Sequence, residues 1–491
     1  MKPNVTEPPI HPRLGHDGHF VPELAGVCTY EEAAREGLGV EENVALLKRY
    51  NWVEQRINDL ILAKLNSTPE WEVKDAFALH AWLDAEHAQS LQERVADLRH
   101  PPHNFHLAPD PKLEALCQEA LRSSSTIETL TALYAVLKPA LLSAYERHME
   151  RTNPLADAPT RRILRFLIIE ERESIEWGQK AIRALCDSDE KRHEIETWQN
   201  HLHKYLQAAG GVSGSEPRLD EELPAARAQA PLRSAEIDWT PQRDSRLESY
   251  NFNFPPHWVY AQTERPESER ALALVCKRLL EMDVPEMMAS IVWKQREAAL
   301  QAGKPKPWAY TSEMCRQMWD EARHSMLGEA WLANRGIDWT KVPLNVGFSL
   351  ALNSLATPQE AHAALYWIEQ GLMPSKTGKA YEWRTARDAG DRLAMLFMDY
   401  DWADEVLHVH IGHWIIEEMG SRKAAEEAGE AAFGRVMSIR RERQHIEEHA
   451  HPQREWWNEF VRDALNIEAA ALEESVAGEQ DAPWKAVATN G

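Results

Sequence analysis

Two stretches of this 491-residue chain carry the residue types of a metal centre at helical spacing: Asp320-Glu321-Ala322-Arg323-His324 and Asp404-Glu405-Val406-Leu407-His408. Residues three apart on an α-helix project from the same face, so each stretch aims one carboxylate and one imidazole at a common point. Glu-x-x-His is common in so acidic a chain and occurs five times, at 190/193, 321/324, 405/408, 442/445 and 448/451. Flanking residues sort the five. Asp187 to Glu194 is polar almost throughout, and Ser188 reads as the N-cap of a helix whose first turn carries acids. The 442 and 448 pairs lie in a run of Arg, Glu and Gln and read as solvated helix face. Met318, Trp319, Met326 and Leu327 surround the 321 pair, and Met395, Leu396, Phe397, Val406, Leu407 and Val409 surround the 405 pair. Burying a carboxylate in such surroundings is costly unless a metal or partner compensates. A hydrogen-bonded Glu-His pair in each helix is the competing reading.

With Glu286 and Glu369 added, the order is Glu, Asp-Glu-x-x-His, Glu, Asp-Glu-x-x-His at intervals of 35, 48 and 36 residues. Mixed carboxylate and imidazole ligation suits iron or manganese, whereas thiolate ligation favours zinc or iron–sulfur clusters. Pro285 precedes Glu286 and can kink the helix or start it there, which leaves Glu281 as the substitute. Asp320 and Asp404 can each accept the second ring N–H of the opposite histidine, and Arg323 can neutralise one of those acids. Tyr366 and Trp402, each one turn before a proposed ligand, can line the site or serve as core.

The elements that must position these residues read as helices. Gly is sparse at 22, hydrophobic residues make up 43%, and long Glu-, Ala-, Leu- and Arg-rich stretches show no period-2 alternation, so the expected fold is all-α. An extended, proline-rich arm is expected over 1–28, where His16-Asp17 resembles a metal phosphohydrolase dipeptide without the helix that normally carries it. A first helical domain follows over 29–209, with helices expected at 40–65, 69–99, 110–123, 126–150, 158–186 and 189–209. Residues 210–266 change character, from Gly-Gly-Val-Ser-Gly-Ser to an aromatic patch at Tyr250, Phe252, Phe254, Trp258 and Tyr260, and read as a linker. A second helical domain is expected over 267–419, from runs at 267–301, 308–335, 357–371 and 382–419. A charged extension, 420–491, is anchored by Trp456 and Trp457 and ends in a disordered tail.

The halves repeat. Trp82-Leu83-Asp84-Ala85-Glu86-His87 aligns without a gap on Trp319 to His324; Asp84 to Glu171 spans 87 residues, and Glu321 to Glu405 spans 84. Glu171 and Gly178 match Glu405 and Gly412, but Ser174 stands where His408 does. The spaced ligands of the second half resemble the ferritin-like di-iron carboxylate proteins, in which a Glu from each of two helices joins a Glu-x-x-His from each of two others. Asp320 to His324 follows the stricter Asp-Glu-x-Arg-His form, while Leu407 replaces the Arg in the later motif. The resemblance implies two tandem four-helix bundles. The first is a degenerate copy with Glu54, Asp84, His87, Glu146 or Glu150, and Glu171 as candidates; the second holds two iron ions, or iron and manganese, on Glu286, Glu321, His324, Glu369, Glu405 and His408.

The resemblance further implies a dioxygen-activating oxidase or oxygenase acting on a small organic substrate, with an electron-donor protein as partner and a homodimer as the assembly. Metal sequestration without turnover and a helical scaffold are the alternatives. No organic cofactor is expected. The net charge of −23 argues against a nucleic-acid surface, and the five widely spaced cysteines suggest neither disulfides nor a zinc ribbon. The N-terminus has no apolar leader pattern and no apolar run of about 18 residues stands out, so a cytoplasmic, non-membrane setting is expected.

Overall fold

The computed structural model describes residues 21–101, 105–218, 222–247, 254–344, 347–450 and 455–466, and every regular element among them is helical. The fold is all-α. Most of the N-terminal arm, Tyr250 and Phe252 of the aromatic patch, and the tail lie outside the described residues, as do the side chains of the 442 and 448 pairs.

The chain divides into two compact units, residues 1–57 with 86–231 and residues 58–85 with 232–491. The division departs from the expected one by assigning 58–85 to the second unit. Trp71 belongs to that unit's apolar core, Arg296 pairs with Asp59 at 2.8 Å, and the Trp308 indole donates to the Ala85 carbonyl at 2.8 Å. The C-terminal segment joins the same core through Trp456 and Trp457, which are 1% and 3% exposed. Part of the expected linker is tied to the first unit: Arg227 holds Glu128 with two bonds of 2.7 and 2.8 Å, and the Tyr205 hydroxyl donates to the Pro224 carbonyl.

In the first unit the helices that matter are α1 (Val40–Leu65), α2 (Trp71–Asp97), α3 (Lys138–Arg151) and α4 (Ala158–Leu185), the first two continuing into the second unit. A single π-helical segment, Ala132–Leu137, leads into α3. The stretch Thr126–Arg151 is long and apolar enough to cross a membrane, contrary to the expectation that no such run occurs; 72% of its most apolar window is buried in the fold, as for a core helix.

In the second unit, α5 (Glu267–Leu279) and α6 (Asp283–Gln301) are nearly continuous, joined by the 3-10 turn Leu280–Met282. They are followed by α7 (Trp308–Asn334), α8 (Pro358–Gly371), α9 (Lys379–Asp388) and α10 (Arg392–Ile411). Four of these close a ring: α6 packs on α7, α7 on α10, α10 on α8 and α8 on α6. Thr357 and Glu360 form a capping box that fixes the start of α8, and Asp391 caps α10. Gly412 lets α10 approach α8 closely, because a Cβ there would stand 2.2 Å from the Tyr366 ring. A helix at Gly347–Leu355 had no counterpart in the sequence reading.

Candidate metal centre

Pro285 decides which acid enters the ring. A proline ring clashes with the carbonyl four residues before it, here that of Glu281, and the helix tightens there into the 3-10 turn. Glu281 therefore sits at the break and reaches the site, with His324 Nδ1 3.5 Å from its Oε2. Glu286 does not. Its carboxylate is fully buried but turned to Lys74 and Arg243, and it accepts a bond of 3.1 Å from Ser349. The expected ligand is thus committed to a buried ion-pair network, and Glu281 takes its place.

The remaining five expected ligands come together. Glu321 and His324 from α7, Glu369 from α8, and Glu405 and His408 from α10 are each at most 2% exposed. Glu321, Glu369, Glu405 and His408 place one donor atom apiece within 4.8 Å of one another, and Glu281, Glu321 and His324 do the same, as do His324, Asp401 and Glu405. Glu321 and Glu405 are therefore common to a group around His408 and a group around His324. Five of the donor atoms, Glu281 Oε2, His324 Nδ1, Glu369 Oε2, Glu405 Oε2 and His408 Nδ1, are buried without a hydrogen-bond partner. Leaving such atoms unpaired costs about 1–3 kcal/mol each, and more when charged. Oxygen and imidazole donors converging at this separation could hold a metal ion, which would answer that cost.

The outer contacts cross between helices. His324 Nε2 lies 3.2 Å from Asp404 Oδ2, His408 Nε2 lies 3.6 Å from Asp320 Oδ2, and the Arg323 guanidinium bonds both acids at 2.7 Å. Arg316 adds two contacts of 2.9 and 3.0 Å to Asp320. Burial would raise the Asp320 carboxyl, but His408, Arg316 and Arg323 hold it down at about 2. His324 Nε2 is engaged by Asp404 and its Nδ1 faces the carboxylates; His408 Nδ1 faces them too, 3.2 Å from Glu321, while its Nε2 makes no hydrogen bond. Gln317, one turn before Glu321, donates to Glu369 Oε1 at 3.0 Å and fixes that side chain.

Three further residues crowd the His324 side, and spacing alone had not marked them. Asp401, one turn before Glu405, is fully buried with Oδ1 3.2 Å from His324 Nδ1. Lys379, at the start of α9, is buried with Nζ 2.7 Å from both Asp401 and Glu405 and 3.5 Å from Glu281. Arg278 reaches Asp401 at 2.6 Å, Glu382 at 2.9 Å and Glu281 at 3.0 Å. The charge balance differs from side to side. Burial and the neighbouring Glu405 and Glu321 push Glu369 well above the usual carboxylate range. Burial would also raise Glu405, but the Lys379 ammonium leads the contacts that hold it well below. Only Asp401 had a legible signal, since 401, 405 and 408 share one helix face.

A cavity of about 1120 Å³ opens onto the carboxylates of Glu281, Glu321, Glu369 and Glu405. Its apolar wall includes Leu280, Val284, Met287, Phe348, Leu365 and Phe433. Neither Tyr366 nor Trp402 borders it. Tyr366 packs in a core cluster with Ala363, Ile415 and Ala425, and Trp402 is half-buried elsewhere on α10.

The first unit holds a smaller group of the same residue types. His87 Nδ1 lies 3.1 Å from Glu54 and its Nε2 2.7 Å from Glu170; Asp84, one turn earlier on α2, is buried but falls in the second unit. Gly178 of α4 lies against the Tyr134 ring as Gly412 does against Tyr366. Glu369 follows Tyr366 by three residues and Lys138 follows Tyr134 by four, the π segment supplying the extra residue. Counted from the two tyrosines, Lys138 aligns with Glu369 offset by one residue, and its ammonium bonds Glu171 at 2.9 Å. Glu146 and Glu150 are not in the cluster: Glu146 pairs with Arg172 at the surface and Glu150 is exposed. Ser174 is buried on the same helix as Glu171 and offers no imidazole. The Glu190 and His193 pair is exposed behind the Ser188 cap, as its polar flanks implied.

No protein-family model matches the chain, and no match is found among curated proteins or solved structures.

Proposed function

We propose that the second unit is a ferritin-like carboxylate centre for two iron ions, or iron and manganese, and that the protein is a dioxygen-activating oxidase or oxygenase of a small organic substrate. The cavity that ends on Glu281, Glu321, Glu369 and Glu405 carries this reading, because a storage or scaffold protein has no need of an apolar chamber at its metal ligands. Glu369 and His408 would hold one ion, Glu281 and His324 the other, and Glu321 and Glu405 would be shared. Such a metal pair supplies electrons to dioxygen when bound.

The chain's own residues supply the rest. Asp404, itself held by Arg323, fixes the His324 imidazole with Nδ1 turned inward, and Asp320 lies beside the outer nitrogen of His408. Gln317 restrains one oxygen of Glu369 and leaves the other free to shift. Leu280, Val284, Met287 and Leu365 exclude water from the inner end of the cavity and favour an apolar or aromatic substrate group there. A homodimer and an electron-donor protein belong to the same proposal.

Anaerobic titration of the metal-free protein with Fe(II), followed by admission of oxygen, tests it. Uptake of two ions per chain, an iron-dependent absorption band on oxygenation, and a requirement for external reductant to repeat the cycle are expected. Absence of iron binding, or continued ferric loading far beyond two ions, would refute it.

A further inference from the structure

The six donors are arranged unequally around a fixed positive charge. Lys379 Nζ contacts Asp401 Oδ1 and Glu405 Oε1 at 2.7 Å and Glu281 Oε1 at 3.5 Å. All three carboxylates belong to the groups around His324, whose Nδ1 lies 3.2 Å from the same Asp401 Oδ1. Arg278 adds a second cation on that side, 3.0 Å from Glu281 and 2.6 Å from Asp401. On the His408 side, no Lys or Arg among the described residues pairs with Glu321 or Glu369, and Glu369 Oε2, Glu405 Oε2 and His408 Nδ1 remain without hydrogen-bond partners. Lys379 comes from α9, outside the ring of four helices, and its flexible stem carries a compact charge that can be moved.

We propose that Lys379 is an internal cation that makes the two metal subsites unequal: the first ion takes the Glu321, Glu369, Glu405 and His408 subsite, and the second binds beside His324 only against the Lys379 ammonium. Like charges at this separation repel strongly in a buried setting, so the second ion must either tolerate that charge or drive Nζ off Glu405 and Asp401. The inference rests on the dimetal reading proposed above and adds to it an order of filling and the residue that sets it. Lys379 is a positioning residue. It need not touch substrate.

Calorimetric titration of the full-length, metal-free chain with Mn(II), in parallel with electron paramagnetic resonance of the bound ion, tests the proposal. The wild type should show two classes of site differing at least about tenfold in affinity, with an uncoupled Mn(II) signal at one equivalent. Lys379→Met should bring the classes within about threefold and give a coupled signal early in the titration, whereas Lys379→Arg should keep them apart. Two equal sites in the wild type, or an unchanged separation in Lys379→Met, overturns the role of Lys379 while leaving the dimetal reading intact. No Mn(II) binding at all overturns both. Should Lys379→Met fail to fold, anomalous scattering from wild-type crystals grown with one equivalent of Mn(II) decides: an ion beside Glu369 and His408 supports the proposal, and an ion beside His324 overturns it.

Discussion

Glu286→Gln should unfold the second unit more readily and leave metal uptake intact, whereas Glu281→Gln should do the opposite. The Glu286 carboxylate is 0% exposed and is the counter-charge of Lys74, itself 1% exposed, and of Arg243. Removing one partner of a buried ion pair costs roughly 3–5 kcal/mol, because the other charge stays behind in a low-dielectric setting. Lys74 would retain only the Gln242 carbonyl, at 2.6 Å. For a domain of this size the loss corresponds to a fall in Tm on the order of 10 °C. Glu281 is partly exposed, and Arg278 beside it keeps Asp401 and Glu382, so Glu281→Gln should cost less than about 2 kcal/mol. It removes a charged donor from the His324 group, which should weaken the second Mn(II) by about tenfold or more. Calorimetric melts of the metal-free variants and Mn(II) titrations read both effects. If Glu286→Gln loses metal while Glu281→Gln binds normally, the assignment of the two acids is wrong.

Three further outcomes are expected. Gly412→Ala places a Cβ 2.2 Å from the Tyr366 ring where about 3.5–4 Å is comfortable, so it should cost about 1–3 kcal/mol in thermal melts and weaken metal retention by parting Glu369 from Glu405. Adding Tyr366→Ala should recover part of that metal binding. In the first unit, Lys138→Glu with Ser174→His restores a carboxylate and an imidazole beside Glu54, His87 and Glu171; the double variant should gain a Mn(II)-dependent rise in Tm on top of the wild-type response, and its absence would count against the alignment of Lys138 with Glu369. His148 sits buried with Nε2 2.6 Å from Asn43, and burial lowers it to about 4. Its neutral form is favoured in the fold, so its stabilising effect is present above the unfolded value near 6.5 and is lost as pH falls toward 4, by up to about 3 kcal/mol. His148→Gln should flatten stability across that window in denaturant titrations.

Helices were legible where periodicity and caps agree. The expected span 40–65 coincides with Val40–Leu65, and Ser188 caps its helix as its position suggested. The helix at Gly347–Leu355 escaped because Gly347, Ser349 and Asn353 read as loop while its burial against the second unit decides the outcome. Five of the six candidate donors that the fold brings together followed from spacing and apolar flanks. The sixth did not, because spacing favours Glu286 equally until the tightening at Pro285 turns Glu281 toward the site. Lys379 carries no local signal and reaches the cluster through packing between helices distant in sequence. Gln317 and Arg278 stand one turn before Glu321 and Glu281, a spacing too common in helices to mark them.

The two units answer the same electrostatic demand in different ways. A buried group of carboxylates needs positive charge close by, whether from a metal ion or from a side chain. In the first unit the Lys138 ammonium bonds Glu171 and Ser174 on the same helix offers no imidazole. Glu54 Oε2 and Glu171 Oε2 nonetheless stay buried without hydrogen-bond partners. In the second unit Lys379 arrives from α9 and replaces none of the six donors, so five donor atoms remain without partners while the ammonium sits on Asp401 and the shared Glu405. A lysine inside a carboxylate group lessens the need for an ion, whereas a lysine added beside a complete set of donors changes how strongly, and in what order, ions are held.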